Sequence, residues 1–356
     1  MRDTPGSSAI PNLAWWLLLA VLAIRVLAMA LYPIMDTTEA RYAEISRLMS
    51  ASGDWLMPQA EPGVPFWGKP PLFAWLSAAA IKLAGPSEFS VRLPHFALAL
   101  GTLWLVTAAA AREGAKAMRW VPALVLASTP LFYVSAGTVM TESGLVYSTT
   151  LAMTGFWLGT QHGRRGWSMA FFVGLGLGML AKGPVALVMA LLPISMWLLI
   201  NRRWSPLARL PWLTGIPLAL LIFLPWYIAA EQHSPGFLSY FIIGEHLLRF
   251  IQPGWQGDLY GNAHREPLGM IWLLWFKATA AWGLVFLLAL AKLLRSRSNG
   301  QRWVRNDWQR YLLCWMIAPL LFFTFSTNIL WTYVITGLPA MALLLASGQG
   351  EQEVPA

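Results

Sequence analysis

Residues 71–85 read PLFAWLSAAAIKLAG. The run is apolar, but it is only fifteen residues long and carries Lys82. A helix that crosses a bilayer needs about 20 apolar residues, with a range of roughly 17–25. Whether this stretch crosses decides the orientation of everything after it. The rest of the chain is far greasier than a soluble protein. Its 356 residues are 57% hydrophobic and 12% charged, with a mean hydropathy of +0.54. Soluble domains are about 45–50% apolar and about 25% charged. The composition is that of an integral membrane protein, which excludes soluble hydride-transfer, DNA-reading and metal-finger classes. The net charge of +9 is then a matter of membrane topology and not of nucleic-acid binding. Cys314 is the single cysteine, so no internal disulfide can form.

Ten candidate spans are expected at 13–33, 93–111, 120–139, 143–160, 167–181, 184–200, 211–230, 268–291, 311–326 and 331–347. The first is too long for a signal h-region and lacks a clear cleavage site, so it reads as a retained span. If 71–85 lies on the surface, fifteen of the 25 Lys and Arg fall in inner loops and eight in outer ones. If it crosses, the basic stretch REGAKAMR at 112–119 moves outside and conflicts with the later basic loops. The positive-inside rule therefore favours an interfacial or re-entrant helix at 71–85, with both termini cytoplasmic. Eleven of the sixteen acidic residues then lie outside. Acidic residues contribute little to topology, so this bias points to a working site on the outer face. Two outer loops are long, 34–92 and 231–267, and their aromatic content argues for order.

The candidate chemistry sits in those loops and at two turns. In DTTEARYAEISRLM, residues 36–49, Tyr42, Ile45, Leu48 and Met49 repeat at helical spacing, with Thr37 or Thr38 as cap and Asp36 just before it. Lys69 precedes Pro70-Pro71, which holds its backbone extended. Glu142 and Lys182 fall at tight turns between spans. Glu245, His246 and Arg249 share one predicted helix, where Glu245 and Arg249 at i and i+4 also fit a simple ion pair. Arg25 and Lys277 lie inside spans, where charge is expensive. Each group alone has a bland reading as cap, snorkelling anchor or surface ion pair. Together, carboxylates that suit an acceptor hydroxyl or a metal and cations that suit a phosphate leaving group point to group transfer from a lipid phosphate.

The words DTTEARYAEISR, SGDWLMP, PFWGKPPLFAWLS, SEFSVRLP, MTES, KGPVAL, PWY and PGFLSYFIIGEHLLRF occur in that order. They resemble the polyprenyl-phosphate-sugar glycosyltransferases of the GT-C fold, the group that holds the aminoarabinose transferase of lipid A and protein O-mannosyltransferase-like proteins. The resemblance runs from about residue 13 to 345. It implies an all-α polytopic bundle of about ten spans with interfacial helices in the first outer loop. It also implies a periplasmic site in a bacterial inner membrane and inverting transfer from an undecaprenyl-phosphate sugar. Asp36 maps to the catalytic centre and Glu142 to a second acidic motif where aspartate is more usual. Lys69 maps near the donor phosphate, and Glu245, His246 and Arg249 map to the loop over the cavity.

Three departures stand out. Gly68 replaces a glutamate that helps the aminoarabinose branch hold a metal. STNILWTY at 326–333 replaces an SKxKLPxY stretch. The longer relatives carry further spans and a soluble periplasmic domain, whereas this sequence ends at Ala356.

The expectation is one membrane domain over 1–356, with the loop 231–267 covering the cavity. Asp36 and Glu142 are its catalytic carboxylates. Lys69, Lys182, Arg249 and Arg25 are its phosphate-binding cations, supported by Glu39, Arg41, Tyr42, Glu245 and His246. The expected partners are a polyprenyl-phosphate-linked sugar, a lipid, glycan or protein acceptor and membrane lipids, with no nucleic acid. No cofactor is assigned, and a divalent metal ion is the one candidate that the acids leave open. A lipid-sugar transporter or flippase and a non-catalytic lipid-binding relative are the rival readings.

Overall fold

The computed structural model describes residues 9–116, 118–261, 264–295 and 306–347. The described chain is overwhelmingly helical, with one two-stranded hairpin. Arg2, the loop residues Arg297, Arg302 and Arg305, and both termini, all used in the charge count, lie outside the described residues.

Four helices among these residues are long and apolar enough to cross a membrane. They are α1 (Ala9–Leu31, apolar from Asn12), α4 (Glu88–Arg112), α9 (Pro184–Asn201) and α11 (Trp212–His233). A fifth candidate is a pair, α13 (Ile271–Thr279) and α14 (Ala281–Arg295), whose apolar parts meet at 109°. The expected spans are interrupted where local chemistry forbids a continuous helix. The stretch 120–139 divides into α5 (Trp120–Ser128) and α6 (Pro130–Ser135), because Pro130 cannot donate into α5 and the residue before it is held extended. The break at 280 has no such signal. Ala280 stands at φ +46°, a region that disfavours side chains, and turns the chain sharply. The stretch 331–347 opens as a tight 3₁₀ segment, Trp331–Gly337, before α16 (Leu338–Ser347).

The central pair is α7 (Thr141–Gln161) and α8 (Arg165–Lys182). Their serines, threonines and glycines make them less apolar than a lipid-facing span, and they are buried in protein instead. Small residues let the backbones touch. A Cβ on Gly155 or Gly174 would stand 2.5 or 2.6 Å from the opposing main chain. Because the two helices are antiparallel and joined by a short turn, the start of α7 and the end of α8 meet at the same end of the bundle.

The two long loops fold onto that end. The first contains α2 (Thr37–Ser52), a hairpin of β1 (Gln59–Glu61) and β2 (Val64–Pro65), and α3 (Leu72–Ala84). Tyr42, Ile45, Met49, Phe66, Phe73 and Val139 form its core. The second contains a π-helical segment, Ser239–Leu248, continued by a short α turn, Arg249–Ile251. It packs through Phe237 and Phe241 on Trp226, Tyr227 and Leu180. Hydrogen bonds stitch the loops together: Trp67 Nε1 donates to Ser234 Oγ at 2.9 Å, and Tyr260 OH accepts from Trp67 N at 2.8 Å.

Candidate active site

Segments from distant parts of the chain meet at one cavity of about 180 Å³. The loop before α3 brings Lys69, the end of α8 brings Lys182, and the π-helical segment and the turn after it bring Glu245, His246 and Arg249. The connection between α15 (Asp307–Phe323) and the 3₁₀ segment brings Ser326 and Asn328, and the segment itself brings Tyr333. Away from these polar groups the wall is apolar, with Val185, Val188, Met189, Phe250, Phe322 and Phe323.

The cations are already paired. Lys69 Nζ donates to Glu245 Oε2 at 3.2 Å and to Gly68 O at 2.6 Å. Arg249 Nη1 donates to Glu245 Oε2 at 2.9 Å and lies 3.2 Å from Asp258 Oδ2. Lys182 Nζ donates to Glu142 Oε1 at 2.8 Å and stands 5.4 Å from the centroid of the Tyr333 ring. Burial lowers the pKa of Lys69, and the Glu245 charge restores only part of it. Burial pushes the Glu245 carboxyl up, but Lys69 and Arg249 outweigh that and hold it below the usual carboxylate range. The pairing is a physical requirement, since buried charges persist only with partners and hydrogen bonds. It is nevertheless incomplete: Arg249 Nε is buried with no partner.

The expected site residues divide into two groups. Lys69, Lys182, Arg249, Glu245 and His246 line the cavity, and Glu142, 5% exposed at the first turn of α7, is one bond behind Lys182. Asp36 does not line it. Asp36 is itself the N-cap of α2, its Oδ1 accepting from Thr38 N at 2.9 Å and Glu39 N at 3.0 Å. The threonine caps expected from the sequence are corrected by one residue, because a carboxylate at that position reaches both free N–H groups at once. Arg25 is also away from the cavity. Its guanidinium donates to Val134 O at 2.9 Å and Thr138 Oγ1 at 3.1 Å, which holds the segment after α6 against α1. Glu39 is buried in a bidentate pair with Arg92, at 2.8 and 2.9 Å, and also accepts from Val139 N. Arg41 is exposed on α2, and Tyr42 is buried against Phe66 and Phe73. Lys277 lies 5.3 Å from the centroid of Trp331.

Several contributors had no role in the sequence reading. Asp258 gives Arg249 Nη1 a second carboxylate beside Glu245, and Tyr240 OH donates to Glu245 Oε1 at 3.2 Å. His95 sits 3.0 Å from Ser77 Oγ and 2.8 Å from Ser143 Oγ, tying α3 and α4 to the turn that carries Glu142.

A divalent metal fits this set poorly. Among the described residues no three His, Cys, Asp or Glu groups converge as ligands. His246 Nδ1 faces Phe241 O at 2.7 Å and Nε2 faces Lys182 O at 3.1 Å. At Gly68 a Cβ would stand 2.7 Å from the Phe66 ring, so a glutamate has no room there unless that ring moves.

Residues 12–241 match the profile of the dolichyl-phosphate-mannose-protein mannosyltransferase family. The chain belongs to this family. It is 30% identical over 347 residues to the undecaprenyl phosphate-alpha-4-amino-4-deoxy-L-arabinose arabinosyl transferase of Edwardsiella ictaluri, covering 94% of this chain and 59% of the relative. It is 29% identical over 331 residues to the transferase of the same name from Erwinia tasmaniensis, covering 90% and 56%. The chain therefore spans somewhat under two thirds of the length of these relatives. Its fold is that of ArnT from Cupriavidus metallidurans bound to undecaprenyl phosphate, with a TM-score of 0.83, 23% identity and coverage of 97% of this chain and 61% of that one. The oligosaccharyltransferase of Archaeoglobus fulgidus is a more distant likeness, with a TM-score of 0.57, 16% identity and coverage of 94% and 49%. The membrane GT-C fold expected from the sequence is thus the fold observed.

Proposed function

We propose that this chain is a membrane glycosyltransferase that moves a sugar from an undecaprenyl-phosphate donor to an envelope acceptor such as lipid A, another glycan or a protein. The observation that carries the reading is the convergence of Lys69, Lys182 and Arg249, from three separate elements, on one cavity whose remaining wall is apolar. That combination suits a ligand with an anionic head and a hydrocarbon tail. The orphan Arg249 Nε adds a donor with no acceptor inside the protein. The proposal includes about ten spans in a bacterial inner membrane, a single domain with cytoplasmic termini, and a periplasmic site under the loops 34–92 and 231–267.

The chemistry follows from the charges. The acceptor oxygen attacks the anomeric carbon from the face opposite the phosphate. The carbon–oxygen bond to phosphate breaks, and its electron pair leaves on the phosphate oxygen. Lys69, Lys182 and Arg249 stabilise that charge, the role that preorganised donors play best in a buried site. In-line attack inverts the anomeric centre and puts the base on the side away from the cations. Glu142, bonded to Lys182, lies on the leaving-group side and orients that lysine. Asp36 is exposed, is joined through the first turn of α2 to the Glu39–Val139 contact, and uses only Oδ1 as a cap. It takes the acceptor proton. Arg25 acts through the fold, holding α1 and the segment after α6 in place.

The rival transporter reading needs free charges along a path through the bilayer, and the two deep ones, Arg25 and Lys277, are engaged with carbonyls and with a tryptophan face. Purified protein incubated with a radiolabelled undecaprenyl-phosphate sugar and lipid A or envelope extract tests the proposal. Labelled acceptor and free undecaprenyl phosphate are expected. Donor binding with neither product would overturn the enzyme reading, and label crossing vesicles unchanged would favour the transporter.

A further inference from the structure

Two uncharged groups on the cavity wall lack partners. Ser326 and Asn328 are 1% and 4% exposed, both line the cavity, and neither Ser326 Oγ nor Asn328 Nδ2 makes a hydrogen bond. The orientation of Asn328 is fixed from behind, where His264 N–H donates to its Oδ1 at 3.1 Å. An N–H requires an acceptor, so the amide NH₂ is the end left over. Buried polar groups in native proteins nearly always have partners. A pair of orphans on the wall of a cavity is therefore where a ligand's polar atoms belong.

The rest of the cavity says which atoms those are. Its carboxylates are engaged: Glu245 accepts from Lys69, Arg249 and Tyr240, and Glu142 accepts from Lys182 and Thr141. No carboxylate is left to receive an ammonium group, which would also lie among three cations. A hydroxyl has no such difficulty, because it accepts from the Asn328 amide and exchanges a hydrogen bond with Ser326. The segment also departs from the lysine-bearing SKxKLPxY form, with Thr327 and Ile329 at the two lysine positions.

We infer that the Ser326–Asn328 wall is the sugar subsite, and that it takes a neutral, hydroxyl-bearing sugar in preference to an amino sugar. This inference rests on the reading of the cavity as a lipid-phosphate-sugar site and adds the class of sugar to it.

The test compares three probes on the full chain in detergent at pH 7: undecaprenyl phosphate, its arabinose conjugate and its 4-amino-4-deoxyarabinose conjugate. The two sugars differ only in a hydroxyl against an ammonium group. The arabinose conjugate is expected to bind roughly tenfold more tightly than the bare lipid phosphate, the scale of one or two added hydrogen bonds. It should exceed the amino-sugar conjugate by at least as much. Ser326→Ala should shrink the sugar increment while leaving binding of bare lipid phosphate unchanged. Asn328→Asp keeps an acceptor for His264 N–H and should turn the preference towards the amino sugar. Equal binding of the two conjugates, or a sugar increment untouched by both variants, overturns the inference and leaves the lipid-phosphate site standing. Failure of bare undecaprenyl phosphate to bind overturns both.

Discussion

Two buried ion clusters sit at the loop-bearing end of the molecule, and they are built to opposite specifications. Around Arg92 every guanidinium nitrogen is engaged. Nε and Nη2 grip Glu39, and Nη1 holds Met29 O and Tyr32 O at 3.1 and 2.6 Å. Arg92 and Glu39 are 5% and 6% exposed, and neither lines the cavity. Around Glu245 the arrangement is open. Lys69, Arg249 and Lys182 each border empty space, and Arg249 Nε has no acceptor. The first network ties α1, α2 and α4 together, buried away from the cavity where a ligand would reach it. The unsaturated one keeps its charges paired and still has a donor, Arg249 Nε, left over for a ligand's oxygen.

The comparison predicts different failures. Arg92→Leu leaves Glu39 buried without its partner, which costs about 3–5 kcal/mol of stability. Thermal unfolding should record that loss, and transfer should fall only in step with the folded fraction. A variant that stays stable but inactive would move Arg92 into the working site. Asp36 stands between the two designs, with one oxygen capping α2 and the other free. Asparagine caps a helix about as well as aspartate, so Asp36→Asn should unfold like the parent. Its turnover should drop by about 10²–10⁴-fold, the usual scale of general-base help. Donor binding should survive. Normal turnover would reduce Asp36 to a cap.

A smaller effect distinguishes charge from shape in the open cluster. Burial lowers the pKa of Lys69 below the ordinary lysine value of 10.5. Lys69 therefore loses its proton in the folded chain before it would in the unfolded one. In that alkaline window the unfolded state binds more protons, so Lys69 makes the fold more stable, not less, as pH rises. Donor binding should nonetheless weaken as pH rises through the lowered value, with no accompanying unfolding. Lys69→Arg should carry the weakening to higher pH, because a guanidinium stays charged. A loss of binding that tracks unfolding in both proteins would remove the assignment.

Much of this was legible in the chain. Helical spacing in DTTEARYAEISRLM fixed α2, and the proline pair after Lys69 marked the turn that presents it. The i, i+4 spacing of Glu245 and Arg249 showed their ion pair, which the structure contains. It did not show that Lys69, 176 residues away in sequence, shares the same carboxylate. Such long-range pairing depends on how two loops fold over each other, and no local period encodes it. The breaks in the apolar runs were partly readable, since Pro130 is a known interrupter, but Ala280 is not, because alanine favours helix. Ser326 and Asn328 lie in a stretch that stood out in the sequence only for its two missing lysines, at Thr327 and Ile329. Their lack of partners is a property of the packed cavity.

The central claim is that the open cluster binds a lipid phosphate. Undecaprenyl phosphate titrated at pH 7 into the purified parent and into Lys69→Met tests it most directly. Arg249 still covers Glu245 in that variant, so the fold should hold. The account predicts saturable binding to the parent and binding roughly 10–100-fold weaker in the variant, the scale of one lost charge-assisted hydrogen bond. Equal binding by the two proteins would contradict it.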